Sequence, residues 1–186
     1  MARWEPDAPG RLELAALELF AERGYDRTTV ADIAEAAGVT KRTFFRHYAD
    51  KREVLFGGSE TFRQSFVDGV SAVPSAATPM EALSQTLLAV AASFGDRADW
   101  SRRRHAVIDA NPELRERELV KLASVAAAVA GVLRERGASA LEAGLAADAG
   151  MAAFANAYGR WAATPGSDLP RLVQESLDAL RSVTAS

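Results

Sequence analysis

The sequence predicts an all-α protein. Alanine is abundant throughout the chain, and especially between Ala123 and Ala163. Threonine, valine and isoleucine do not gather into runs that alternate apolar and polar residues. Since alanine favours helices and a half-buried strand needs that alternation, the pattern indicates helices and no sheet. Glycine and proline mark where one helix ends and the next begins.

The first predicted helix has its apolar residues at helical spacing and ends at a glycine. Leu12, Ala16, Leu19 and Phe20 fall on one helical face. Gly24 follows them, and glycine is common just beyond a helix end because it adopts a positive φ without steric cost. The sequence therefore predicts a helix that buries one side and stops at this glycine.

Two shorter helices are predicted next. The second is expected to begin at Thr28 or Thr29, since either hydroxyl can accept a hydrogen bond from the exposed N–H groups of the first turn. Gly38 is expected to end it. Thr40 is expected to cap the third helix, which runs to about Tyr48.

Six further helices are predicted in the rest of the chain. The fourth is expected from residue 50 to about residue 73, with Asp50 and Glu53 forming an aspartate variant of the capping box. A linker with prolines at both ends follows at 74–79. The remaining helices are expected at 80–94, 100–110, 112–136, 139–163 and 169–183. The prediction is thus nine helices.

Composition excludes several classes of protein. The 186 residues include no cysteine, which excludes a disulfide-stapled scaffold, a thiol nucleophile, an iron–sulfur cluster and a Cys-bound metal. The two histidines, His47 and His105, are too few and too far apart for a His-rich metal site. No apolar run approaches the ~18–20 residues of a membrane span, and the polar, acidic start is not that of a secretory signal. We therefore expect a cytoplasmic protein with no metal, no cofactor and no membrane contact.

The second and third helices are predicted to form a helix-turn-helix. Ala34 is small where the two helices approach each other, and Gly38 supplies the positive φ that the turn needs. Val39 and Phe44 are expected to fill the space between these helices and the first one. Such a unit places its second helix in the major groove of DNA.

Local charge supports the same interpretation. Residues 41–52 contain five basic side chains and one carboxylate, a balance of +4 in a chain whose formal net charge is −3. The acidic total excludes a protein that coats nucleic acid by bulk charge, but not a basic recognition helix. Thr43, Phe45, His47 and Tyr48 can also contact phosphates, sugars and thymine methyls. A basic helix face can be ordinary solvated surface, but its place on the second helix of the motif favours DNA.

One segment resembles the DNA-binding signature of the TetR family of bacterial transcriptional regulators: residues 28–55, TTVADIAEAAGVTKRTFFRHYADKREVL. With the preceding helix, the resemblance covers about residues 10–56. It departs from the family pattern at Lys41-Arg42, where a small residue or glycine often precedes the threonine. The matching residues are Thr28, Ile33, Ala34, Ala37, Gly38, Val39, Thr43, Phe44, Phe45, Tyr48 and Lys51.

The resemblance and the geometry of the motif together assign roles. Phe44 is expected in the core, and Arg42 is the first choice for a bidentate contact to guanine, because it lies near the start of the recognition helix. The expected phosphate contacts, which set register rather than sequence preference, are Thr28, Thr29, His47, Tyr48 and Lys51. The full set of expected DNA contacts is Thr28, Thr29, Thr40, Lys41, Arg42, Thr43, Phe45, Arg46, His47, Tyr48 and Lys51.

The resemblance also implies two domains, a DNA-binding domain at 1–56 and a helical effector-binding and dimerisation domain at 57–186. The second contains no HExxH, GxSxG, P-loop or Gly-rich dinucleotide turn, so no enzyme activity is expected. Its effector is expected to be a small molecule held between helices. The ten residues expected to line that site are Phe62, Phe66, Leu87, Phe94, Trp100, Arg104, His105, Ile108, Phe154 and Tyr158, and Trp161 is a further apolar candidate.

Two alternatives remain open for these effector residues. The apolar ones can simply be core, which is the ordinary role of apolar residues at helical spacing. Arg104 and His105 can reach an anionic effector such as an acyl-CoA or a carboxylate. They can equally belong to a solvated face balanced by Asp99, Asp109 and Glu113.

The last two helices are expected to form a homodimer interface. One presents small residues and the other an apolar stripe, so the pair can associate with its symmetry mate as a four-helix bundle. The alternative is that the stripe packs within its own chain. A dimer is favoured because two recognition helices must reach half-sites about 34–36 Å apart or more. The expected interface residues are Ala143, Gly144, Ala147, Gly150, Met151, Leu172, Leu177 and Leu180.

Together these features predict a homodimeric, ligand-responsive transcriptional regulator, with repression as the expected sign of control. It is expected to bind double-stranded DNA at a roughly palindromic operator, and to leave it when an effector tilts the fourth helix. One alternative is an all-helical small-molecule-binding protein or enzyme in which the motif is incidental. Another is a DNA-acting enzyme with a helix-turn-helix, which would need a catalytic serine or tyrosine with arginine, or a carboxylate cluster.

Overall fold

Nine α-helices make up most of the chain that the computed structural model describes, residues 8–185. In order they are α1 (Ala8–Arg23), α2 (Val30–Ala36), α3 (Lys41–His47), α4 (Ser59–Ala72), α5 (Pro79–Ala92), α6 (Ala98–Asp109), α7 (Pro112–Glu135), α8 (Ala140–Ala163) and α9 (Leu169–Thr184). No strand occurs in that stretch, and the all-α prediction is confirmed. None of these helices is both long and apolar enough to cross a bilayer. The polar start that argued against a secretory signal lies outside the described residues.

Side-chain caps determine where several helices begin. The hydroxyl of Thr29 accepts a hydrogen bond from the N–H of Asp32 at 3.2 Å, and the carboxylate of Asp32 accepts one from the N–H of Thr29 at 2.8 Å. Thr78 and Ser139 open α5 and α8 with the same reciprocal pair. Thr40 caps α3, as the sequence predicts. Each cap satisfies N–H groups that have no partner within their own helix.

The fourth helix departs from the prediction of one helix between residues 50 and 73. A 3₁₀ turn spans Glu53–Phe56, Asp50 caps that turn, and α4 begins only after two glycines. Glycine is a poor helix former. In addition, a Cβ at Gly57 would collide with the carboxylate of Glu13 and the side chain of Tyr48. The two consecutive glycines therefore separate the 3₁₀ turn from α4, and the side chains of Glu13 and Tyr48 lie close to the first of them.

By its packing the chain divides into two compact units. The first comprises the described residues up to Ser59 together with Arg103–Glu118, and the second comprises Glu60–Arg102 together with residues from Leu119 onwards. Helices α6 and α7 therefore each contribute to both units. The predicted division at residue 56 concerns function and stays a prediction. By packing, Arg103–Glu118 belongs to the same unit as the helix-turn-helix, although it is distant from it in the sequence.

Each unit has its own apolar core. Leu12, Ile33 and Phe44 are fully buried in the first. In the second, α8 packs against α5 and α9. Gly150 permits the close approach of α8 and α5, since a Cβ there would collide with the side chain of Leu83.

Candidate nucleic-acid interface and effector site

Phe44 anchors α3 to the rest of the first unit. Its side chain is fully buried, its ring centroid lies 5.6 Å from that of Tyr48, and Ile33 and Ala34 of α2 are buried as well. The next residue in the chain, Phe45, is 56% exposed. An exposed aromatic ring beside a buried one establishes which side of α3 faces solvent.

The exposed side of α3 is basic. The cationic side chains of Lys41, Arg42 and Arg46 are exposed there, and an open depression lies beside Phe45. A surface of this kind can meet phosphates with its cations and base edges with its forked guanidinium groups. We define the α3 face as Thr40, Lys41, Arg42, Thr43, Phe45, Arg46 and His47.

The +4 balance of residues 41–52 is concentrated on α3. Arg52 forms an ion pair with Asp50 at 2.8 Å, so these two charges neutralise each other. The hydrogen bond from Arg52 holds the pKa of Asp50 below its usual range. This pair is neutral, and the fifth basic residue, Lys51, is turned towards the protein interior. The exposed positive charge is therefore that of Lys41, Arg42 and Arg46.

Two hydroxyls expected to contact phosphates lie inside the first unit instead. Thr28 is 1% exposed, and its hydroxyl donates to the carbonyl of Gly24 at 2.9 Å. Tyr48 is also buried, and its hydroxyl donates to the carboxylate of Glu13 at 3.0 Å. The structure thus corrects both assignments, because each group packs against α1 rather than facing solvent.

Lys51 is a third correction. Its Nζ donates to the carbonyl of Tyr25 at 2.7 Å and to that of Thr28 at 3.0 Å, and it stands 3.9 Å from the centroid of the Tyr25 ring. An ammonium has three donors, and two of them are used here with a cation–π contact in addition. Lys51 therefore closes the turn between α1 and α2, and its loss would affect DNA binding through the fold.

Thr29 and Thr40 are exposed, but their hydroxyls cap the N-termini of α2 and α3. Thr29 donates to the carboxylate of Asp32 at 2.7 Å, and this bond is the first cause of the lowered pKa of Asp32. Thr40 accepts from the N–H of Thr43 at 3.1 Å. Since both residues, like His47, remain at the surface, their phosphate contacts stay predictions.

Six aromatic side chains of the second unit form one cluster. Neighbouring ring centroids lie between 4.9 and 6.3 Å apart; Phe66 and Phe154, for example, are separated by 5.8 Å. Leu87 lies in the same core. The structure thus brings together five of the aromatic residues expected at the effector site with the further candidate Trp161. We define the aromatic cluster as Phe62, Phe66, Phe94, Phe154, Tyr158 and Trp161.

The aromatic cluster has a polar edge at the start of α6 and the end of α8. The hydroxyl of Tyr158 donates to the carbonyl of Ser101 at 3.2 Å. The guanidinium of Arg102 stacks on the ring of Trp161 at 4.3 Å and donates to the carbonyls of Trp161 and Thr164. An apolar interior with a few satisfied polar groups at its edge is the usual character of a small-molecule site.

The other residues expected at the effector site are distributed differently. Trp100 lies beneath the guanidinium of Arg97, which is 4.6 Å from its ring centroid. Arg104, His105 and Ile108 belong to the first unit by packing, and Ile108 is fully buried. The ten expected residues are therefore not assembled within one unit, because α6 passes from the second unit to the first at residue 103.

Arg104 is occupied by the protein itself. Its Nε donates to the carbonyl of Leu55 at 2.7 Å, and its Nη1 forms an ion pair with Glu118 at 3.0 Å. The guanidinium also stacks on the ring of Phe56 at 4.9 Å, and the side chain is 15% exposed. The prediction that Arg104 reaches an anionic effector is corrected, since Glu118 already neutralises its charge.

Two further contacts hold residues 103–118, the α6–α7 segment, within the first unit. Arg117 forms an ion pair with Glu53 of the 3₁₀ turn. The hydroxyl of Tyr25 donates to the carboxylate of Glu113 at 3.5 Å. Burial, followed by the charge of Glu113, raises the pKa of Tyr25 to about 12. The helix-turn-helix therefore packs against a segment that is distant in sequence.

The expected dimer-interface residues lie mostly within the protomer. Gly144, Leu172 and Leu180 are half-buried. The alternative of packing within the chain holds for the others, because α8 turns its small residues towards α5 and α9. The sequence did not single out the apolar residues of α8 that face solvent, Leu141 and Leu145, because the helices that pack against α8 determine which of its faces is buried. The five fully or nearly buried residues are Ala143, Ala147, Gly150, Met151 and Leu177.

Two family models match the chain. One, described as bacterial regulatory proteins, tetR family, matches residues 14–56. The other, described as MftR C-terminal domain, matches residues 77–185. The first covers the helix-turn-helix with the α3 face, and the second covers α5 to α9.

Curated relatives match part of the chain. The chain is 43% identical over 75 residues to the HTH-type transcriptional regulator TcmR of Streptomyces glaucescens, covering 40% of this chain and 33% of that protein. It is 39% identical over 83 residues to the HTH-type transcriptional repressor KstR2 of Mycobacterium tuberculosis, covering 42% and 39%. The matched part of the chain spans between 33% and 58% of the length of the first such relatives.

Solved structures share the fold over nearly the whole length. The fatty acid degradation regulator FadR from Bacillus halodurans has a TM-score of 0.61 at 21% identity, with 96% of each chain covered. FadR of Thermus thermophilus, a TetR family repressor solved in complex with lauroyl-CoA, has a TM-score of 0.57 at 25% identity, with 93% of each chain covered. The first likeness shows the arrangement of helices alone.

Proposed function

Since the chain belongs to the TetR family of bacterial regulatory proteins and carries an MftR-type C-terminal domain, we propose that it is a ligand-responsive transcriptional repressor. The proposed repressor binds double-stranded operator DNA through the α3 face and releases it when a small molecule enters the second unit. The observation that carries the proposal is the exposed basic side of α3, held outward by the burial of Phe44.

The proposed effector is an apolar small molecule that enters the aromatic cluster. The cluster offers ring faces and edges from α4, α8 and the turn after α5, and its polar edge is satisfied by backbone carbonyls, so an apolar group gains the most by entering. The acyl chain of an acyl-CoA is such a group, and lauroyl-CoA is the ligand in the T. thermophilus FadR structure. The α6–α7 segment and α4 are the elements through which entry would shift the population of DNA-binding conformations.

Selection from a pool of randomised duplexes tests this function. We expect the full chain to enrich a roughly palindromic sequence, and its affinity to fall steeply as salt rises, because phosphate contacts release counterions. Lauroyl-CoA is expected to release the enriched duplex while the dimer persists, and unesterified CoA is the matched control. Absence of duplex binding at low salt would instead favour an all-helical binding protein with an incidental motif.

The proposed dimer forms through the outer side of α8 and the end of α9. Leu141 and Leu145 are 71% and 63% exposed on α8, and Val183 of α9 is 72% exposed. Leu141 and Leu145 are four residues apart and so lie on one face of α8, and neighbouring exposed apolar side chains mark an interaction site. A two-fold related copy supplies the second recognition helix that a palindromic operator requires.

A Leu145→Glu variant is expected to be monomeric, because it places a charge at the centre of the proposed interface. Analytical ultracentrifugation at micromolar concentration measures the change, and affinity for the enriched duplex should fall with it. The matched control is Leu119→Glu on α7, where the leucine is 67% exposed. A Leu145→Glu protein that sediments as a dimer would contradict this interface.

A further inference from the structure

Arg11 is a half-buried arginine of α1 that the helix-turn-helix motif does not include. Its Nε is buried and has no hydrogen-bond partner among the described residues. Its Nη1 lies 3.8 Å from the position that a Cβ on Gly38 would occupy. The guanidinium therefore rests against the turn of the helix-turn-helix, two residues before the cap of α3.

The other half-buried cations of the first unit are all engaged. Lys51 donates to two backbone carbonyls, Arg104 pairs with Glu118, and Arg117 pairs with Glu53. No ion pair or hydrogen bond joins Arg11 to the residues that the structure describes. A guanidinium partly removed from water with no acceptor is unfavourable until an anion completes its hydrogen bonds.

The position of Arg11 indicates which anion that is. Gly38 forms the turn with a φ of +66°, and the guanidinium lies within van der Waals distance of it. The turn leads to Thr40 and the basic α3 face, where a bound duplex would place its backbone. Guanidinium groups bind phosphate oxygens through short, charge-assisted hydrogen bonds.

We propose that Arg11 is a phosphate-contacting residue of the DNA interface, and that it binds a phosphodiester oxygen of the duplex beside the α3 face. The inference rests on the proposed function and extends the interface from α3 to α1. The contact positions the duplex without reading its sequence, because a phosphate carries no base information. Loss of this contact should therefore lower the affinity for every duplex by the same factor.

The salt dependence of binding tests this assignment. Each phosphate neutralised by a side chain contributes about 0.9 to the slope of log affinity against log salt concentration. An Arg11→Met variant keeps an apolar stem and removes the charge, so the slope for a bound dimer, which loses one contact in each protomer, should be shallower by about 1.8. The fold-loss in affinity should be equal for the enriched duplex and for a scrambled one. Arg11→Lys keeps the charge and should retain the original slope.

Arg23→Met, at the other end of α1, is the matched control, and its slope should equal that of the unmodified chain. Thermal unfolding of each variant verifies that it is folded at the temperature of the measurement. An unchanged slope in Arg11→Met, or a loss confined to the enriched duplex, would overturn the role of Arg11 and leave the proposed function standing. Failure of the unmodified chain to bind either duplex would overturn both.

Discussion

An Arg104→Ala variant is expected to lose about 1–3 kcal/mol of unfolding free energy, because it leaves half-buried acceptors without their donor. The substitution leaves Glu118, whose side chain is 23% exposed, without its counter-charge. It also removes the donor to the carbonyl of Leu55 and the cation above the Phe56 ring. Urea denaturation followed by circular dichroism measures the change.

Arg103→Ala is the matched control, because Arg103 is the exposed neighbour in the same helix. Its unfolding free energy should stay within about 0.5 kcal/mol of that of the unmodified chain, as is typical of surface substitutions. If both variants unfold with the same free energy, the contacts of Arg104 do not stabilise the first unit.

An Arg42→Ala variant is expected to bind the enriched duplex at least about 30-fold more weakly, because the dimer loses two bidentate base contacts of roughly 1–3 kcal/mol each. Arg42 is exposed in the first turn of α3, where such helices meet base edges. Selection with the variant should return the same palindrome with one relaxed position in each half-site. Fluorescence anisotropy with single-base substitutions measures both effects.

Arg42→Lys separates the shape of the guanidinium from its charge. Lysine retains the positive charge but lacks the planar fork of donors, so the relaxed position should persist while part of the affinity returns. Equal losses on the enriched and scrambled duplexes in Arg42→Ala would show instead that Arg42 contacts phosphate.

Local sequence signals accounted well for the helices. The caps at Thr29, Thr40, Thr78 and Ser139 act on residues three positions away, so their effect is readable from a few letters of sequence. The break before α4 was not readable, although two glycines stand there. A side chain at Gly57 would also have to displace Glu13 and Tyr48, residues that lie elsewhere in the chain.

The charges in the sequence only partly indicated which side chains form the DNA-binding surface. Residues 41–52 carry five cations, yet Lys51 faces the core and Arg52 is neutralised by Asp50. Arg11, with no basic neighbour in sequence to draw attention to it, lies against the turn of the motif. Sequence shows how many charges a segment has, whereas packing determines which of them solvent and a duplex can reach.

The helix-turn-helix, the nine-helix architecture and the basic character of α3 follow from the order of residues, because helix formation, capping and turn geometry depend on near neighbours. The placement of Arg104 beside Leu55 and Glu118, the inward turn of Ala143 and Ala147, and the exposure of Leu145 do not follow from it. These features depend on which helices meet. Contacts between residues dozens of positions apart leave no local pattern in the sequence, so only the tertiary structure reveals them.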